Sequence, residues 1–341
     1  MAVAAIRGRA TEAATAWRAH VITGLLGLWM TLGSYVDGWA HTHLISTQES
    51  FLTPWHGILY SGWLGSAAWI YLNRDRPGYM LGLYGAIAFG VGGLFDMIWH
   101  TAFGIESNAE ALISPPHVFL LVSHMLIIST PLRAAWATDT RRRASWREFA
   151  PVALSLIAGV AGLCFIVMYG SPFNDYLPSQ TFAEGSFGAE TRFRLAQKAG
   201  LLSFYVTTLL LVVPLLTVLK RWRPPFGAAT LMLGLPAIGI TVIDPLLLGT
   251  PTLAISGVAA GLLADVLIHE SDPGPHRTRA FVALGALVPV PLVILSLVAN
   301  SMEWGLGWGV NLITGSVFLS SLIGAGLAFA LAAPSRIEVA A

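Results

Sequence analysis

The sequence predicts an all-α fold, a polytopic integral membrane helical bundle of about ten transmembrane helices built around duplicated helix hairpins. Three observations predict it. Apolar windows long enough to cross a bilayer recur along nearly the whole chain, basic residues fall in alternate connections, and one helix-pair pattern occurs twice.

Of 341 residues, 55% are hydrophobic and 11% charged, a balance that a soluble fold of this length rarely shows. Crossing a hydrocarbon core of about 30 Å takes roughly 20 apolar residues in helical conformation. Such runs fall at 20–42, 55–73, 79–101, 115–136, 148–170, 197–219, 226–248, 251–269, 279–299 and 308–332. The first run follows Arg7, Arg9 and Arg18. It is too long and too rich in tryptophan for a cleaved signal peptide, so a retained helix is expected.

Cytoplasmic loops carry an excess of Lys and Arg. Arg74 and Arg76, then Arg141, Arg142, Arg143 and Arg147, then Lys220, Arg221 and Arg223, then Arg277 and Arg279 occupy alternate connections. Both termini are therefore expected in the cytoplasm, with a plasma (inner) membrane location. The opposite connections hold Glu49, Glu106, Glu110, Asp175, Glu184 and Glu303 and are expected to face outward. The formal net charge is +1. This gives no reason to expect a nucleic-acid partner, and the arginine clusters are explained by topology and lipid headgroups. A single cysteine, Cys164, argues against thiolate metal sites and intrachain disulfides.

The repeat lies in the first four runs. Its first copy reads DGWAHTHLISTQESFLTPWHGILYSGW and its second DMIWHTAFGIESNAEALISPPHVFLLVSH. Each gives Asp-x-x-x-His at the end of an outgoing helix, a loop with glutamate, then Thr/Ser-Pro-x-His opening the returning helix. A degenerate third copy at Asp244-Pro245 and Thr250-Pro251-Thr252 lacks the histidines and reads as scaffold. Two regions follow: residues 1–140, a four-helix region with the repeat at 20–73 and 79–136, and residues 141–341, a six-helix hydrophobic scaffold with an outer loop at 171–196.

Asp37 and His41 are four residues apart, as are Asp96 and His100, so each pair projects from one helical face. Pro54 and Pro115 suit the first helical position, where a missing N–H costs nothing, and they mark where His56 and His117 enter. All six polar residues are expected at one end of the bundle, near the outer face. Ionisable groups in a spanning segment cost at least about 2.5 kcal/mol each on insertion scales, so such a set calls for a partner. A cation fits best. Two imidazoles and one carboxylate per copy suit copper, zinc or non-heme iron, a choice that the donor set leaves open. His43, Glu49, Glu106 and His124 are candidates for a surrounding shell that orients the imidazoles.

Other polar features read more plainly. Asp265 and His269, with His276, read as an interfacial helix end, and His20 reads as an anchor at the start of the first helix. Trp39, Trp55, Trp99, Trp304 and Trp308 fit aromatic belts, and the first three are also candidates for the wall of a substrate cavity.

DGWAH followed by ESFLTPWHGILYSG resembles the metal-binding core of the C subunit of particulate methane and ammonia monooxygenases. The resemblance covers roughly residues 30–125. It implies one copper site at Asp37, His41 and His56 and a second at Asp96, His100 and His117. The chain departs from that pattern in slightly longer gaps between paired histidines, in Asp96 where the family has asparagine, and in six further apolar helices. The expected function is a membrane-embedded, copper- or non-heme-iron-dependent oxidoreductase, monooxygenase-like, or a subunit of one. It would act on a small or lipophilic substrate, with other membrane subunits or further copies of the chain as partners in the lipid bilayer. The alternatives are a metal-ion transporter, a metal-delivery protein or a structural accessory subunit.

Overall fold

The computed structural model of the chain describes residues 2–44, 52–104, 110–138, 144–174, 176–181, 188–244 and 250–332. Among these residues there is no strand. Eight helices are long and apolar enough to cross a membrane: Ala13–His43, Tyr79–Phe103, Pro115–Thr138, Trp146–Ile166, Glu190–Leu219, Thr252–Ser271, Thr278–Trp304 and Val310–Ala332. The chain is an all-α integral membrane protein. The two other predicted runs are also helical. Pro54–Leu72 has its apolarity diluted by Trp55, Tyr60, Trp63, Trp69 and Tyr71. Ala228–Ile243 has 16 residues, about 24 Å of helix against a core of about 30 Å.

Two compact units divide the chain, one of Met1–Thr140 with Ala144–Ile166 and one of Arg141–Arg143 with Val167–Ala341. In the first, α1 (Ala2–His43) packs against α2 (Pro54–Leu72). Likewise α3 (Tyr79–Phe103) packs against α5 (Pro115–Ile128), which the single turn α4 (Glu110–Ile113) precedes. α2 lies on α3, α6 (Thr130–Thr138) continues beyond α5, and α7 (Trp146–Ile166) covers α1. These helices close on a core that includes Met30, Ile70, Tyr79, Phe89, Leu120 and Ile127. Facing away from it, α3 exposes Tyr84, Ile87, Val91, Leu94 and Ile98 at helical spacing, as a lipid-contacting face does.

Small residues bring the paired helices together. A Cβ on Gly33 of α1 would fall 2.6 Å from the Leu59 Cα of α2, and one on Gly62 of α2 would fall 2.8 Å from the Met30 Cα of α1. Each backbone thus occupies the space that the other's side chain would need, the close approach typical of membrane helix pairs. In the second pair, a Cβ on Gly92 would meet Leu120 and Phe119 at 2.9 Å, and one on Gly85 would meet the Leu126 Cβ at 2.6 Å. Gly33 and Gly92 each stand one turn before an aspartate, Asp37 and Asp96 respectively. A close approach in each pair therefore sits beside its carboxylate.

The second unit holds α8 (Ala189–Leu219), α9 (Ala228–Ile243), α10 (Thr252–Ser271), α11 (Thr278–Leu287), α12 (Pro289–Trp304) and α13 (Val310–Ala332). Here α9 packs on α10, α10 on α12, and α13 on α8 and α11. Asp265, read from the sequence as part of an interfacial helix end, is buried and has another task. Its carboxylate accepts hydrogen bonds from Ala229 N at 3.0 Å, Thr230 N at 2.8 Å and Thr230 Oγ1 at 2.6 Å. The cap residue of α9 is Gly227, which makes no side-chain cap bond. A carboxylate from the neighbouring helix satisfies those N–H groups instead.

Alanine at Gly33 should destabilise the detergent-solubilised protein by about 1–3 kcal/mol through forced separation of α1 and α2. Gly159 of α7 has open space around it, so alanine there should stabilise by about 0.5–1 kcal/mol through helix propensity alone. Thermal melts of the two variants are expected to shift in opposite directions.

Candidate metal centre

Each half of the repeat builds its polar cluster from a helix end and a helix start. Asp37 and His41 lie in the last two turns of α1, and His56 lies in the first turn of α2. Pro54 opens α2 and Thr53 caps it, accepting a hydrogen bond from His56 N at 3.2 Å. The same hydroxyl lies 2.9 Å from His56 Nδ1. The second copy repeats the order and the ring contact without the cap bond: Ser114 precedes Pro115 and Pro116, and its Oγ lies 2.9 Å from His117 Nδ1. One short hydroxyl side chain thus holds the ring that comes three residues later.

The geometry assembles two triads. One ligand atom from each of Asp37, His41 and His56 lies within 4.8 Å of the other two, and the same holds for Asp96, His100 and His117. In the first, Asp37 Oδ1 is 3.3 Å from His56 Nδ1 and Oδ2 is 3.7 Å from His41 Nε2. In the second, Asp96 Oδ1 is 3.3 Å from both His100 Nε2 and His117 Nε2. The triads are electrostatic neighbours. Asp37 feels the charges of Asp96 and His100, and His41 those of His100 and His117. Asp37 and His117, one from each triad, also face a common cavity of about 100 Å³.

The triads differ in finish. Asp96 is only 2% exposed, whereas the His41 side chain of the first triad is 36% exposed. His100 Nδ1 lies 3.3 Å from Gly104 O. A carbonyl can only accept, so Nδ1 carries the proton, and a neutral His100 turns a bare Nε2 toward Asp96. Asp37 Oδ1 and Asp96 Oδ1 are both buried without a hydrogen-bond partner among the described residues. An electron-rich nitrogen facing an electron-rich buried oxygen at 3.3 Å is unfavourable unless a cation joins them. With imidazole held through its far nitrogen, this is the ligand-plus-support pattern of metal sites, and the donor set fits copper, zinc or non-heme iron.

Of the surrounding residues expected from sequence, His43 is tied to its own helix. Its Nδ1 lies 3.0 Å from Trp39 O and 2.9 Å from Thr42 Oγ1, and its ring stacks on Trp39 with centroids 4.7 Å apart. His124 is buried, contacts Thr31 and lines the shared cavity. Glu49 and Glu106 lie outside the described residues. Trp39, Trp55 and Trp99 do not line the cavity; Leu59, Phe89 and Leu120 do.

Tyr60 stands between the triads and was not singled out by the sequence. It lies nearly parallel to His56, with planes 19° apart and centroids 6.4 Å apart. Its hydroxyl sits where a Cβ on Gly93 would come within 2.6 Å, and it is acted on by both Asp37 and Asp96. The available signal was its position one turn beyond His56, on the helical face that the histidine shares. The hydroxyls of Thr53 and Ser114 were visible as repeat positions, but their reach to the rings was not.

Fold and site together define an all-α membrane protein with two Asp/His/His clusters in one helical unit. Comparisons with protein families, with curated proteins and with solved structures find no match.

In metal-free protein at pH 8, Asp96→Asn should raise stability by about 1–3 kcal/mol, because it removes a buried carboxylate whose Oδ1 has no hydrogen-bond donor among the described residues. Melting in the presence of a chelator checks this. A fall in melting temperature would mean that imidazolium protons already compensate Asp96.

Proposed function

We propose that the chain is a membrane-embedded metal protein in which Asp96, His100 and His117 hold one ion and Asp37, His41 and His56 a second. The observation that carries this is the pair of buried carboxylate oxygens that have no hydrogen bond among the described residues, each facing imidazole nitrogen at 3.3 Å. Copper is the first choice of ion, with iron or zinc as alternatives. The single cysteine, Cys164, is buried in α7, so an all-sulfur site is not in question. The duplicated hairpins, ten spans with both termini in the cytoplasm and a site near the outer face of the plasma (inner) membrane belong to the same proposal, on the charge pattern described above.

Within this reading the protein is an oxidoreductase of monooxygenase type, or a subunit of one, acting on a small or lipophilic substrate. Three protein ligands leave coordination positions open, and copper or iron would supply one-electron chemistry toward dioxygen there. The residues themselves hold and orient. Ser114 and Gly104 fix the rings of His117 and His100, Thr53 fixes His56, and the apolar walls of the cavity limit water. The motif's resemblance to the monooxygenase C subunit supports this class. A second reading, metal delivery, is favoured by one observation: His41 is partly open, so an ion in its triad is the more exchangeable.

Metal analysis of purified protein tests the proposal. Up to two ions per chain are expected, with His100→Ala and His41→Ala each removing one and the double variant removing both. The Asp96 triad should bind more tightly because it is more buried and its rings are already oriented, and Ser114→Ala should weaken it by about 10- to 100-fold. Equal, near-zero metal in the unaltered protein and the double variant would end the metal reading. If metal is bound, oxygen consumption with an added reductant separates an oxidoreductase from a carrier.

A further inference from the structure

Neither triad uses His124, although it is only 5% exposed and lies on the same helix as His117, about two turns further on. Its Nε2 is 3.0 Å from Thr31 Oγ1 of α1. That hydroxyl is also 3.0 Å from Gly27 O. A hydroxyl has one proton and a carbonyl can only accept. Both bonds form only when Thr31 donates to Gly27 and His124 donates its Nε2–H to Thr31. A neutral imidazole protonated at Nε2 carries its lone pair on Nδ1. That Nδ1 has no hydrogen-bond partner among the described residues.

His124 lines the cavity that Asp37 and His117 also face, and the other walls include Leu59, Phe89 and Leu120. The ring of Phe89 stands edge-on to that of His124, with centroids 6.3 Å apart. The volume is about 100 Å³. An apolar cavity of about 150 Å³ holds benzene, so three or four heavy atoms fit here. The chamber therefore offers greasy walls and, apart from Ser34 and the triad residues Asp37 and His117 that also line it, an imidazole acceptor whose tautomer Thr31 holds.

We propose that this cavity binds a small neutral molecule with an apolar body and a single O–H or N–H group, whose hydrogen bond His124 Nδ1 accepts. Thr31 sets the selectivity by holding the imidazole in the tautomer that accepts. The inference deepens the metal reading by naming the class of molecule brought to the triads, and it rests on that reading only for the chemistry after binding. Because binding itself needs no ion, either idea can fail while the other stands.

The test uses full-length, chelator-stripped protein labelled with ¹⁵N-histidine in detergent, probed by ethanol and its isomer dimethyl ether. The two have the same atoms, and only ethanol donates. His124 is expected in the Nε2–H form before any addition. Ethanol should then shift its Nδ1 resonance saturably, with dimethyl ether binding about tenfold more weakly, the worth of one hydrogen bond in a dry site. Thr31→Val, close in shape, removes the acceptor for Nε2–H and with it the hold on the tautomer; because the oxygens of ethanol and dimethyl ether can both accept from an Nδ1–H, the preference for ethanol should be lost. An Nδ1–H tautomer in the unaltered protein, equal binding of the isomers, no saturable shift, or an unchanged preference in a Thr31→Val protein of normal melting temperature would each overturn the proposal.

Discussion

A buried carboxylate in an apolar helical unit is tolerated only with donors or a cation around it. Asp37 and Asp96 have Oδ1 atoms that find no hydrogen bond among the described residues, and both face imidazole nitrogens. Much of the first unit can be understood from that constraint. The helices that carry these carboxylates are drawn against their partners by Gly33 and Gly92, each one turn before its aspartate. The partner helices begin with a hydroxyl and a proline, and the hydroxyl turns the incoming histidine. Close backbone packing and local capping thus serve one end: placing oxygen and nitrogen a few ångströms apart where water is scarce.

The two halves are similar in pattern and unequal in environment. Asp96 is nearly sealed, with the rings of His100 and His117 both held through Nδ1 by Gly104 and Ser114. In the first half, His56 presents the same nitrogen, Nδ1, to Thr53 and to Asp37, and His41 is partly open. Pre-orientation and burial both strengthen a charged interaction, the first by sparing side-chain entropy and the second by lowering the local dielectric. One pattern copied twice thereby yields a tighter and a looser site. Tyr60 packs against His56 of the first triad and against Gly93, one turn before Asp96 of the second.

Much of this was legible in the sequence because it rests on fixed spacings. Apolar windows located the helices, and four-residue spacing placed Asp37 with His41 and Asp96 with His100 on shared faces. Thr/Ser-Pro-x-His marked where the returning histidines start. The features that were not legible depend on contacts between helices. The glycines before the aspartates looked like ordinary small residues until the opposing helices were in place. Asp265 paired by spacing with His269 and read as a helix end, but its carboxylate caps a helix that begins 37 residues earlier in the chain, at Ala228. The tautomer of His124 depends on Thr31, 93 positions away. Local pattern reports which residues share a face; it does not report which hydroxyl or carbonyl waits opposite.

The central claim is that a metal ion completes the two carboxylate and imidazole clusters. X-ray absorption at the copper edge of copper-loaded, full-length protein measures this most directly. A first shell of nitrogen and oxygen at about 2.0 Å, with outer-shell imidazole scattering from two histidines per ion that is lost in the His41→Ala and His100→Ala double variant, is the expected result. A sulfur shell, or a spectrum unchanged by that double substitution, would contradict it.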